Sequence, residues 1–81
     1  MRTEYYVEFV VRKDDNNFAL QSKWFKTSKQ ALNWLKKSFD YINISKIDLY
    51  LMSASFDDLG DIMGDITQEY KINFSDLFLE D

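Results

Sequence analysis

The segment Thr27 to Phe39, TSKQALNWLKKSF, carries a start signal, a period and a buried face at once, and it constrains every fold open to this chain. Thr27 and Gln30 stand three residues apart, the spacing of a capping box that satisfies two free N–H groups at a helix start. At about 100° per residue, Ala31, Leu32, Trp34, Leu35 and Phe39 share an arc of roughly 160°. Lys29, Asn33, Lys36 and Lys37 take the other side. A helix over about Ser28–Phe39 with so broad an apolar face needs a sheet to lie on.

The flanking residues supply one. Thr3 to Arg12 alternates, with Thr3, Tyr5, Val7, Phe9 and Val11 on one side and Glu4, Tyr6, Glu8, Val10 and Arg12 on the other. Lys13 to Asn17 is a turn cluster, rich in residues that tolerate left-handed backbone. Phe18 to Lys26 alternates again, with Phe18, Leu20 and Trp24 on one face and Ala19, Gln21, Lys23 and Phe25 on the other. Together they spell an antiparallel hairpin. Beyond the helix, Ile44 to Ser53 predicts a third strand, with Ile47, Leu49 and Leu51 toward the core and Lys46, Asp48, Tyr50 and Met52 away. It can pair with either member of the hairpin.

Ser55 to Tyr70, SFDDLGDIMGDITQEY, predicts a second helix. Ser55 and Asp58 have N-cap spacing, and Asp57, Asp58 and Asp61 suit the positive end of a helix dipole. Phe56, Leu59, Ile62, Met63, Ile66 and Tyr70 share an arc of roughly 120°. Gly60 and Gly64 oppose this, each costing about 1 kcal/mol relative to Ala inside a helix. Lys71 to Asp81 ends the chain either as a short edge strand through Ile72 and Phe74 or as a helical turn over residues 75–79. The expectation is one α+β domain spanning residues 1–81 in ββαβα order. A three- to four-stranded antiparallel sheet carries two helices, mainly on one face.

Composition narrows the chemistry. Among 81 residues there is no Cys and no His. Disulfides, thiolate nucleophiles, imidazole bases and zinc sites of the usual ligand types are thereby removed. Serines and threonines lie in neither a Gly-x-Ser-x-Gly elbow nor a Ser-x-x-Lys motif. Asp57, Asp58, Asp61 and Asp65 are crowded but lack the spacing of a calcium loop, and Gly60 and Gly64 precede no phosphate-binding Lys-Ser or Lys-Thr. The expectation is a protein that is not an enzyme and holds no cofactor or metal. Arg2 and Glu4 open an alternating run in place of an apolar leader, and no window approaches the roughly 20 apolar residues that span a bilayer. A soluble, cytoplasmic protein without a membrane partner is expected.

Charge is unevenly placed. Residues 1–55 hold nine Lys or Arg against six acids, and residues 56–81 hold one Lys against eight acids, within a net charge of −4. Such asymmetry points to charged partners. One candidate surface is the acidic face of Asp57, Asp58, Asp61, Asp65 and Glu69, whose field imitates a nucleic-acid backbone toward a basic protein. A second is the sheet face opposite the helices, with Tyr6, Val10, Phe25, Tyr50 and Met52. It is either a partner surface or is covered by the second helix or the tail. The leading expectation is a non-catalytic protein-interaction module. Rich in residues with AT-rich codons, it suits an acidic inhibitor from a phage or mobile element, directed at a host nucleic-acid-processing protein. One alternative is a small nucleic-acid-binding module using Lys23, Lys26, Lys29, Lys36 and Lys37 with interleaved aromatics. The other is a self-associating structural protein, a homodimer joined through the sheet face.

Overall fold

A computed structural model of the chain describes residues 1–13, 16–38 and 47–73, with residues 12 and 13 described by backbone alone. The elements are β1 (Arg2–Lys13), β2 (Asn16–Gln21), α1 (Ser28–Ser38), β3 (Ile47–Phe56) and β4 (Ile62–Ile72). All four strands form one antiparallel sheet in the order β2-β1-β3-β4, and α1 packs against it. The fold is α+β.

β1 and β3 form the middle of the sheet, paired from Arg2↔Phe56 to Val11↔Ile47. That register sets Val7 opposite Leu51 and Phe9 opposite Leu49. The period-2 geometry then collects Val7, Phe9, Leu49 and Leu51 on the helix side. Ala31 and Leu35 meet them from α1, and Ile72 joins from β4. Leu32, Trp34, Tyr5, Phe25 and Ile47 pack around this core. Val7, Leu35, Leu49 and Leu51 lose essentially all contact with solvent. Fully burying such side chains favours folding by about 1.5–3 kcal/mol each.

The helix starts where its sequence says. Thr27 Oγ1 accepts from the Gln30 N–H at 3.1 Å. The reciprocal Gln30 oxygen accepts from the Lys26 N–H at 3.3 Å, one residue ahead of the usual capping-box donor. Lys36 and Lys37 occupy the last turn, where cations complement the helix dipole. Phe39, expected on the apolar face, lies outside the described residues.

Two expectations need correction. The first concerns Trp24 and Phe25, which exchange faces. Leu20 pairs with Phe9 on the helix side, as anticipated. At Ser22 the ladder breaks step. The Ser22 hydroxyl accepts from the Val7 N–H at 2.8 Å, and its own N–H donates to the Val7 carbonyl at 2.9 Å. Pairing resumes with Phe25 opposite Tyr5, so Tyr6 alone faces both Lys23 and Trp24. One extra residue reverses the alternation. Phe25 therefore packs on Trp34 of the helix, with ring centroids 5.7 Å apart. Trp24 lies on the reverse face against Tyr6 and Phe56, with centroids at 4.7 and 5.1 Å.

The second correction is larger. Ser55 to Tyr70 is not a helix. β3 continues to Phe56, a turn occupies residues 57–61, and the chain returns as β4. The acid read as a helix start closes that turn instead. Asp57 Oδ1 accepts from the N–H groups of Leu59 at 2.9 Å and Asp61 at 3.0 Å. The Asp57 N–H donates to the Asp61 carbonyl at 2.9 Å, and the Asp57 carbonyl accepts from Gly60 at 3.1 Å. Gly60 sits at φ +87° and Gly64 at φ +76°, values foreign to a right-handed helix. Gly64 lies at an irregularity in the β3–β4 ladder, where the register jumps between Ser53↔Thr67 and Ser55↔Met63. β-branched and aromatic strand formers, Ile62, Ile66, Thr67, Tyr70 and Ile72, populate the returning strand. Observed order is ββαββ, with one helix among the described residues. The third strand, expected over Ile44–Ser53, is described from Ile47. Ile72 belongs to β4, whereas Phe74 and the alternative turn at residues 75–79 lie outside the described residues.

Gly60→Ala and Gly64→Ala separate the two readings by sign. A Cβ at either position meets nothing within 4 Å, so the backbone alone decides. Each substitution should destabilise the protein by about 1–2 kcal/mol in urea denaturation, the penalty for left-handed backbone in an L-residue. A helical segment would instead gain about 1 kcal/mol from each.

Candidate functional site

The β3–β4 hairpin assembles the acidic residues singled out from sequence, though not on a helix. Asp57, Asp58 and Asp61 belong to its turn, and Asp65 and Glu69 to β4. Asp57 is committed to the turn through its backbone partners. Asp58 is almost fully exposed and meets the N-terminal ammonium at 3.4 Å. Glu69 reaches inward, accepting from the buried Ser53 hydroxyl at 2.6 Å. It occupies a second bulge, where Met52 pairs with Gln68 but Leu51 pairs with Tyr70. Among the described residues no group of three or more acids could hold a metal ion.

Between these acids stand exposed apolar side chains. Leu59, at the tip, is 87% exposed. Ile62, Met63, Ile66 and Tyr70 each keep over two-fifths of their surface in solvent. Among the described residues β4 is an outer strand, and every residue from Ile62 to Lys71 is exposed. The helix reading concealed this surface, because it assigned the same side chains to a buried stripe. Asp-Asp-Leu-Gly-Asp between β-branched runs was the available signal, a short Gly-containing hairpin loop.

The expected sheet-face set is largely interior. Tyr6 is 3% and Met52 9% exposed. The sheet's reverse face is covered at this point by Trp24, which lays its ring edge-on to Tyr6 and Phe56. Arg2 caps the same cluster, its guanidinium 5.2 Å from the Phe56 ring centroid. Val10 and Tyr50 are half-buried, and Phe25 belongs to the helix side. These residues therefore do not converge on one open patch.

The lysines lie on the connection after β2 and on α1. Lys23, Lys26, Lys29 and Lys37 are exposed, whereas Lys36 is half-buried. The aromatics beside them are engaged internally. Trp34 packs on Phe9 as well as Phe25, and Lys23 Nζ stands 5.5 Å from the Phe25 ring centroid. Base stacking needs an open ring face, which Trp34 and Phe25 lend to the core. An apolar hollow of about 530 Å³ opens nearby, lined chiefly by Phe9, Val11, Leu20, Trp34 and Ile47, with Lys23 among the polar residues. Sequence periodicity gave no sign of it. Ile47 is the first described residue after the segment 39–46.

No helix among the described residues is long and apolar enough to cross a membrane. No family model, curated protein or solved structure matches the chain.

Burial, reinforced by the neighbouring Glu8 carboxylate, pushes the Tyr6 hydroxyl above its ordinary pKa of 10.0. A raised folded-state value means that the neutral phenol is favoured in the fold. The stability it confers is complete below pH 10 and is lost as pH climbs through the higher folded value. Tyr6→Phe should flatten this alkaline loss in denaturation series run from pH 8 to pH 12. On β4, Glu69→Ala strands the Ser53 hydroxyl and should cost about 1–3 kcal/mol by urea denaturation. Glu69→Gln, which keeps an acceptor, should cost less.

Proposed function

We propose that the protein is a non-catalytic interaction module that docks on a basic partner protein through the β3–β4 hairpin. The observation supporting this reading is the mixture on one hairpin of exposed Leu59, Ile62, Met63, Ile66 and Tyr70 with five carboxylates. Acids accelerate and orient the encounter with a cationic surface, and apolar side chains supply contact area once water leaves. Basic proteins that process nucleic acids offer such a surface. Inhibition of a host enzyme of that kind, by a protein from a phage or mobile element, extends the proposal. That extension is supported by the skewed charge and by the residues drawn from AT-rich codons.

Asp58 and Leu59 at the tip separate docking from folding, because neither side chain supports the turn. The immobilised chain should capture a basic protein from bacterial lysate at 50 mM salt and release most of it at 500 mM. Asp58→Asn combined with Leu59→Ser should lower that capture by roughly tenfold, with unchanged thermal stability. Lys29→Gln with Lys37→Gln should leave it intact. Capture that ignores the tip variant, or that is insensitive to salt, contradicts the proposal.

A further inference from the structure

Going beyond that reading, we infer that the outer edge of β4 pairs antiparallel with β4 of a second copy, joining two sheets into one across a two-fold axis. Among the described residues, none pairs with the outer side of β4, whose backbone donors and acceptors there form a free row. The strand is 11 residues long and contains no proline, and its lone lysine, Lys71, lies at its end. Short length, proline and central lysines protect many such edges and are missing from β4, which carries two bulges and the carboxylates of Asp65 and Glu69 instead. Pairing would remove water from part of Ile62, Ile66 and Tyr70, and it would leave Asp58 and Leu59 at the tip open to the partner proposed above.

Charge and shape select a second copy over an arbitrary strand. With Ile66 opposite its own counterpart, Ile62 falls opposite Tyr70, and Asp61, the turn residue just before β4, falls opposite Lys71. Two-fold symmetry creates each of those pairs twice. Opposite charges and aromatic–aliphatic pairs across an antiparallel ladder are favourable. Centring on Thr67 instead sets Asp65 against Glu69, a like-charge pair. Centring on Gln68 sets Asp65 against Lys71 but leaves Ile62 without a β4 partner. The Ile66 register also matches the irregularities of the strand. Gly64 of one copy lies opposite Gln68 of the other, and Met63 lies opposite the bulged Glu69. A flat foreign strand would meet both bulges unmatched.

The decisive experiment exploits the Asp61–Lys71 pairing in the full-length chain. Sedimentation equilibrium from 1 to 500 µM should show a reversible dimer of the 9.7 kDa chain. Asp61→Lys alone and Lys71→Asp alone each set like charges across the axis and should weaken it by roughly tenfold. Mixed in equal amounts, the two variants should dimerise as the wild type does, since every cross-axis pair is again of opposite sign. Rescue by mixing also answers the concern that Lys71→Asp loses its 3.5 Å pairing with Asp48, because a fold defect would persist in the mixture. Ile66→Lys should leave a monomer. A chain that stays monomeric throughout the range overturns the inference, as does a dimer that Ile66→Lys leaves unchanged or variants that mixing fails to rescue. Binding of a basic protein through the hairpin tip can fail without altering any of these outcomes.

Discussion

The pairing of β1 with β3 is the constraint on which the rest of the molecule depends. These strands run side by side from Arg2↔Phe56 to Val11↔Ile47, and neither lies at an edge. Their register decides which side chains face the helix together, since a slip of one residue would put Val7 and Phe9 on the opposite face from Leu49 and Leu51. β2 and β4 then flank this pair, and their surroundings differ. β2 leads directly into the helix that covers the sheet. β4 is the far edge among the described residues, and its apolar side chains are exposed until Ile72 reaches the core.

With α1 on one face, the sheet has a reverse face to manage. The solution is a local break in the alternation of the second strand. At Ser22 the hydroxyl takes the place of a backbone acceptor for Val7, and the added residue turns Trp24 away from the helix. One large ring then shelters Tyr6 and Phe56. With no disulfide available, stability rests on this division of aromatic bulk, with Phe9, Phe25 and Trp34 on one side and Tyr6, Trp24 and Phe56 on the other.

Sequence legibility followed the range of the interactions involved. The hairpin, α1 and the third strand rest on local period and capping, and Thr27, Gln30 and the Val7–Phe9 alternation declared them. The face of Trp24 was not legible, because it depends on a bulge set by one serine hydroxyl. The last strand was misread because 3.6-residue spacing among Phe56, Leu59, Ile62, Met63, Ile66 and Tyr70 outweighed two glycines. Those glycines held the answer, since their left-handed backbone is compatible with a turn and a bulge but not with a helix interior. The candidate surface changed accordingly. The acids identified from sequence do cluster, but their apolar companions became visible only once the strand was known to lie at an edge.

Residues 57–72 form the turn and outer strand of a hairpin, and both the acidic surface and the free edge follow from that placement. Nuclear Overhauser contacts measured on the labelled protein test this directly. Cross-strand contacts linking Ser53 with Thr67 and Leu49 with Ile72 are the result the account predicts. A run of contacts between residues three and four apart from Asp57 to Tyr70, with those cross-strand signals missing, would describe a helix and contradict it.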